Sequence, residues 1–436
     1  MTRVLLALNA RTFASLRRHR NYRLFFSGQI VSLSGTWMQN VALAWFVVEL
    51  TRSPLAVGAL AFCRFAPFTV FGLFGGVVAD RFDNRRLMIT TQVASMLVSI
   101  ALAVLAFSGA AELWHVYLLA ALGGTALVFD APGRHALTFQ MVGRDELPNA
   151  VALNASIFNA SRIVGPAIAG VIIAAVGVAA CFAINAVSFL AVLTALLLMR
   201  ASELHPIERP EVPTIFRGVR EGLVYVRRSR VVWLIVAMTT VLSTMGFNFH
   251  VLVPVLAAET LHAGPRTFGI LSSAFGLGAF AGALLSAGLG RASWKALHAG
   301  TAGFGIAVLA LAPMRSVLPA ALLLLAAGIS FTLWSSNAQS ILQLTAPDHL
   351  RGRVLSIYLF AFAGLAPVGG LFAGWLAEVG GTAAAFAVGG SAGLLMAALG
   401  WLRSPYPVWR RTPRPTELAL ARDVAPEARR QTTSVP

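Results

Sequence analysis

Twelve apolar runs, at about 22–50, 54–79, 87–109, 114–135, 150–176, 178–199, 231–257, 266–291, 297–313, 316–340, 354–378 and 382–402, leave this chain few ways to fold. A hydrocarbon core about 30 Å thick is crossed by roughly 20 apolar residues in a helix. Most of the runs reach that length, and 297–313 is the shortest. Of 436 residues, 57% are hydrophobic and 12% charged, which is more apolar surface than one soluble core encloses. Lipid is then the solvent, and only helices or closed barrels satisfy their backbone there. The runs predict an all-α membrane protein of twelve transmembrane helices.

The net charge of +17 would suit a nucleic-acid partner if it lay on one soluble face. Instead it falls between the apolar runs and alternates from loop to loop. Placing the N-terminus inside assigns 28 of the 34 Lys and Arg to the cytoplasm, while the outer loops keep Arg52, Arg266 and Arg315. The positive-inside rule then orients both termini to the cytoplasm of a multi-pass protein in the bacterial inner membrane, with no nucleic-acid partner. Residues 1–21 are basic but lack a compact apolar core and a cleavage site, so the first helix is expected to direct insertion. Cys63 and Cys181 both lie inside apolar runs, which suits small packing residues better than a disulfide or metal framework.

These features divide the chain into a cytoplasmic segment 1–21, a six-helix half 22–199, a cytoplasmic central loop 200–230, a second six-helix half 231–402 and a solvated tail 403–436. The central loop holds Pro206, Pro210 and Pro213, then a basic stretch from Arg217 to Arg230 suited to an amphipathic helix on the inner surface. The halves also correspond in detail. Ser32, Thr36 and Asn40 recur as Thr240, Thr244 and Asn248 at a constant offset of 208. Each triplet has the i, i+4, i+8 spacing of one polar stripe on a helix, lining a cavity or packing against a neighbour. Asp145–Val151 resembles Asp348–Val354 at an offset of 203, and the runs that follow carry Pro166 and Pro367. Two related halves are the architecture of transporters whose site lies between them.

Between the second and third runs stands GGVVADRFDNRR, residues 75–86. Its carboxylate and guanidinium groups at one helix junction can pair with each other and with a neighbouring helix end, a latch for one conformation. Gly76, Asp80, Arg81, Arg85 and Arg86 resemble the Gly-x-x-x-Asp-Arg-x-Gly-Arg-Arg signature of the major facilitator superfamily, with Asp83 where a small residue is usual. The resemblance covers residues 20–403. Asn21 to Phe25, Ser34 to Gln39, Phe129 to Arg134 and Asn154 to Gly170 further resemble the exporter branch that holds the enterobactin exporter and macrolide efflux proteins. That resemblance implies proton-driven export of siderophores, antibiotics or related molecules. The counterpart loop, Gly288 to Lys295, aligns Gly290 with Asp80, so the latch is expected in one half only.

In the fifth run, Gly165-Pro166-Ala167-Ile168-Ala169-Gly170 resembles the antiporter motif of drug exporters, which implies a hinge at Gly165, Pro166 and Gly170. A proline bend flanked by small residues fits that role, and it equally fits an ordinary kink. The Arg-x-x-Gln-Gly pattern of drug antiporters is absent from Leu119 to Ala126.

Ionisable groups inside the runs are Arg64, Asp130, Arg134 and Arg162. A central charge costs about 2.5–3.5 kcal/mol even on lenient insertion scales, so each is a functional candidate. Asp130 and Arg134 stand at i and i+4 and are expected to pair in a gating or coupling network near the Asp80 loop, or simply as a structural pair. Arg64 and Arg162 lie deep, where a guanidinium fork suits an anionic substrate, and self-satisfaction on backbone carbonyls is the alternative. Glu49, at an outer helix end, is the candidate proton acceptor. His250 is a lone membrane histidine that could titrate near neutrality or simply pack. No nucleophile with an orienting base, metal spacing or phosphate loop is present, so catalytic residues, cofactors and metals are not expected.

The expectation is a monomeric secondary transporter that exports a small molecule in exchange for protons, its cavity lined by Ser32, Thr36, Asn40, Arg64, Arg162, Thr240, Thr244 and Asn248. A nutrient importer and a non-transporting membrane sensor are the alternatives.

Overall fold

A computed structural model of the chain describes residues 12–206 and 215–404, apart from the side chains of 73–77, 79, 80, 215–219 and 349. The N-terminal six helices are α1 (Arg20–Thr51), α2 (Pro54–Arg81), α3 (Asn84–Ser108), α4 (113–142), α5 (144–176) and α6 (Val178–Leu197). The C-terminal six are α7 (Arg230–Thr260), α8 (Pro265–Gly288), α9 (Trp294–Leu311), α10 (Val317–Thr345), α11 (348–380) and α12 (382–403). Among the described residues nine helices are long and apolar enough to cross a membrane. Two of them, of 64 and 54 residues, reverse direction once and so cross twice, and α1 adds the twelfth crossing.

The reversals sit on single glycines. Gly143 (φ 70°) turns α4 into α5 where the sequence suggested a loop over 136–149, and Gly381 (φ 72°) turns α11 into α12. The left-handed region is open to glycine at no steric cost. Gly177, between α5 and α6, has φ 84° and ψ 173°, close to the φ 72° and ψ 174° of Gly381 at the equivalent junction. Helix starts are set locally. The Ser53 hydroxyl accepts from the Ala56 N–H (3.2 Å) with Pro54 at the first helical position, and the Asp83 carboxylate accepts from the Arg86 N–H (2.8 Å).

Two C-terminal helices are broken in mid-membrane. α7 widens into a π-type turn over Leu242–Gly246 and leaves helical geometry at Phe247 and Asn248, and α11 widens over Phe360–Gly364. Their N-terminal counterparts, α1 and α5, run on without such a break.

With an even number of crossings, the chain enters and leaves the bundle on one face, called here the terminal face. The short helix Ala14–Arg18 docks there on the start of α5: the Ser15 N–H and hydroxyl both donate to Asn149 Oδ1 (3.1 and 2.7 Å), and Arg18 pairs with Glu146. Asn21 exchanges two hydrogen bonds with the Arg200 backbone (2.9 and 3.1 Å), tying the start of the central loop to the N-terminal half. The helix Ile215–Arg228 belongs to the other half, where Glu221 pairs with Arg353 and the Tyr225 hydroxyl donates to the Thr345 carbonyl (3.2 Å). The tail, 405–436, lies outside the described residues.

The halves meet along two helix crossings, α2 with α11 and α5 with α8. At the first, a Cβ on Gly374 would stand 2.7 Å from the Pro54 carbonyl oxygen and 2.9 Å from the Gly58 Cα. At the second, a Cβ on Gly269 would stand 2.6 Å from the Pro166 carbonyl oxygen and 2.9 Å from the Gly170 Cα. Such backbone-to-backbone approach is how small residues bring membrane helices together. Hydrogen bonds follow the same seam. Ser53 and Leu55 donate to Glu378 (2.8 and 3.1 Å), Ser273 to the Ile163 carbonyl (2.8 Å) and Thr69 to the Gly364 carbonyl (2.6 Å). Thr69 lies fifteen residues from the opposite-face end of α2, about 22 Å at 1.5 Å per residue. Closer to the terminal face, the start of α11, Asp348–Leu359, packs on Ile215–Arg228 of its own half. The hydrogen bonds described between the halves thus lie from the opposite face down to the level of Thr69.

Candidate functional site

The two deep arginines lie on the helices that form the seams between the halves, Arg64 on α2 and Arg162 on α5. Arg64 is ten residues from the start of α2, about 15 Å below the opposite face, and Arg162 is fourteen from the end of α5, about 21 Å below it. Both are half-buried. The Arg162 guanidinium lies 4.9 Å from the Phe275 ring of α8 and 5.6 Å from the Trp37 ring of α1, one ring from each half. Arg64 stands 5.8 Å from the Phe65 ring. Among the described residues neither guanidinium has a hydrogen-bond acceptor or a carboxylate. A desolvated cation–π contact contributes about 2 kcal/mol, against about 2.5–3.5 kcal/mol for a central charge. The rings thus leave Arg64, with its single contact, under-compensated.

The broken part of α7 faces the same region. Ser32, Thr36 and Asn40 keep their helical spacing on α1, with Ser32 buried and Thr36 donating back to the Ser32 carbonyl (2.9 Å). On α7 the wide turn falls between Thr240 and Asn248, so these three do not share one stripe; Asn248 folds back to donate to the Thr244 carbonyl (2.8 Å). Thr244 Oγ1, Asn248 Oδ1 and His250 Nε2 are buried polar atoms without a partner. Such groups cost free energy unless something fills their valence. His250 packs edge-on against Phe65 at 5.3 Å across the seam, beside Arg64.

Asp130 and Arg134 do pair, and their partners lie within the N-terminal half. Asp130 Oδ1 accepts from Gln92 (2.6 Å) and Thr91 (3.2 Å) of α3, and Arg134 donates to Gln29 Oε1 of α1 (2.6 Å). The network joins α1, α3 and α4. Asn154 of α5 borders it, donating to Thr138 (3.2 Å) and accepting from the Tyr22 hydroxyl (3.1 Å).

Of the loop motif, Gly76 and Asp80 have side-chain positions outside the described residues. Arg85 donates to the carbonyls of Leu196 and Leu197 (2.8 and 3.1 Å), a cation on the last carbonyls of α6. Arg81 is exposed, and Arg86 contributes its N–H to the Asp83 cap. Glu49, near the opposite-face end of α1, accepts from the Trp45 indole (2.7 Å). Gly165 lies under α1, where a Cβ would stand 2.5 Å from Trp37 Cβ, whereas Gly170 belongs to the α5–α8 seam; α5 stays helical through Pro166.

Sequence reasoning missed Trp37 and Phe275 as partners of Arg162, and Ser53 with Glu378 as the opposite-face clasp. The pattern of Ser before a helix-opening Pro marks Ser53 as a cap. Its partner 325 residues away left no local signal.

The family model described as transmembrane secretion effector, of the major facilitator class, matches residues 10–427. The chain is 26% identical over 376 residues to the staphyloferrin A transporter of Staphylococcus aureus, covering 84% of this chain and 92% of the relative. It is 22% identical over 274 residues to macrolide efflux protein A of Streptococcus pyogenes, covering 62% and 68%. A crystal structure of a POT family transporter in complex with 5-aminolevulinic acid superposes with a TM-score of 0.74 at 13% identity, over 90% of this chain and 97% of that one. Twelve helices in two six-helix halves are the major facilitator fold, and the protein is a multi-pass membrane transporter of the transmembrane secretion effector family.

Proposed function

We propose that this protein exports a small organic molecule from the cytoplasm across the bacterial inner membrane, in exchange for protons, by alternating access between its two halves. The observation that carries the reading is the pair of deep guanidinium groups, on the seam helices α2 and α5, that have no acceptor among the described residues. The loop arginines and the basic helix Ile215–Arg228 crowd the terminal face, which makes that face cytoplasmic by the positive-inside rule. Cargo, carried by a monomer, then loads from that face. Relatives whose names specify a siderophore and macrolides support a small-molecule cargo. Glu49, Asp130 and His250 are the groups available to carry protons, and the Asp80 loop latches the cytoplasmic side. Cargo or proton shifts the equilibrium only by binding the two states unequally.

The test is a susceptibility panel of siderophores and antibiotics applied to a deletion strain and its complemented parent. An exporter leaves the deletion strain sensitised to, or retaining, one chemical class. Identical profiles across the panel would count against export.

A further inference from the structure

Arg64 and Arg162 are the deepest charges on the seam helices, and their surroundings define a ligand. A structural arginine in a membrane helix ordinarily donates to backbone carbonyls or a carboxylate. Here neither does so among the described residues, and Arg162 is held by rings alone. The acids described inside or at the ends of the helices are engaged elsewhere or lie far off. Asp130 pairs with Arg134, Glu49 accepts from Trp45 and Glu378 from Ser53; Glu259 sits in the last turn of α7. His250 stands beside Arg64 and adds no negative charge. The region is therefore electropositive, with Trp37, Phe65, Phe247 and Phe275 as apolar surface around it and unpartnered polar atoms at Thr244 and Asn248.

We infer that the cleft between the halves binds a small organic anion with an apolar, ring-bearing body, its charged group on Arg64 and Arg162 and its body against the rings. The inference rests on the exporter reading for its physiological meaning and deepens it by naming the cargo class. Five guanidinium donors in a fixed fork bind carboxylate, sulfonate or phosphate in pairs. A cationic cargo would meet two uncompensated charges of its own sign. Arg162 also couples binding to conformation. Its rings come from α1 and α8, so an anion that draws the guanidinium off Phe275 loosens a contact between the halves.

The experiment uses the full chain in lipid nanodiscs and two probes that share a ring and differ in charge, benzenesulfonate and phenyltrimethylammonium. Binding is read from Trp37 emission, taken as the difference between native protein and Trp37→Phe, and from the shift in thermal unfolding. Benzenesulfonate is expected to give a saturable change and to raise the unfolding temperature, and phenyltrimethylammonium to do neither. Arg64→Gln and Arg162→Gln should each weaken benzenesulfonate several-fold, while Arg64→Lys and Arg162→Lys, which keep the charge, retain part of it and guard against a folding defect. Equal or stronger binding of the cation, no binding of either probe, or full binding in both Gln variants would overturn the assignment. Anion binding without any phenotype in the susceptibility panel would sink the exporter reading alone, and export confined to cationic compounds would sink this one alone.

Discussion

The carboxylate of Glu378, at the end of α11, accepts the Ser53 hydroxyl at 2.8 Å and caps the first turn of α2 across the seam through the Leu55 N–H at 3.1 Å. The opening N–H groups of a helix have no partner within it and carry partial positive charge. An anion from the other half placed there is a clasp that exists only while the opposite face is closed. Charged contacts as exposed as this one contribute about 1 kcal/mol or less. Glu378→Gln should therefore shift the resting population toward the opposite-open state. Spin labels at Arg52 and Leu318 read this as growth of a longer distance component, and an unchanged distribution would remove the clasp from the mechanism.

Gly374→Val probes the same closure by steric means. Its added atoms have no room beside the Pro54 carbonyl and Gly58, so the variant should lose the closed opposite face and with it most transport. Gly72→Ala is the control, since a Cβ there meets nothing within 4 Å and transport should stay near the native level. Similar transport in both variants would contradict the proposed closure.

Asp130→Asn leaves the Arg134 charge enclosed by Gln29 and the ends of α1 and α3. Removing one partner of a buried pair costs about 3–5 kcal/mol. A lower unfolding temperature is expected, with Arg134→Gln in the same chain restoring part of it. Native stability would contradict the buried pair's structural role, and lost proton coupling in either case would mark Asp130 as one of the proton carriers.

Asp80→Asn separates turnover from affinity. If the loop latches the cytoplasmic side, maximal flux should fall while binding of an anionic probe is preserved. Equal flux in variant and native protein would show that the acid takes no part, and loss of binding would move its role to the cleft.

The twelve helices were legible because lipid imposes one length on every apolar run, and the repeat because Ser32, Thr36 and Asn40 have counterparts at a fixed offset. The same offset hid the break in α7. Thr240, Thr244 and Asn248 have perfect helical spacing, yet the wide turn and the two non-helical residues after Gly246 displace Asn248. A π-type turn has no strong residue signature, and its cost is set by tertiary neighbours such as Phe304, which lies under Gly246. Arg64 and Arg162 stood out at once as charges in apolar runs. Their ring partners did not, because Trp37 and Phe275 look like ordinary core residues until α1 and α8 are placed on either side of α5.

The central claim is export through a cleft that loads from the terminal face. Inverted membrane vesicles expose that face, and an imposed proton gradient, acid inside, supplies the driving force. The account predicts that at least one labelled organic anion from the susceptibility panel accumulates in vesicles holding the native protein, and that Arg64→Gln and Arg162→Gln abolish the accumulation. Accumulation in right-side-out vesicles instead, or uptake indifferent to both substitutions, would contradict it.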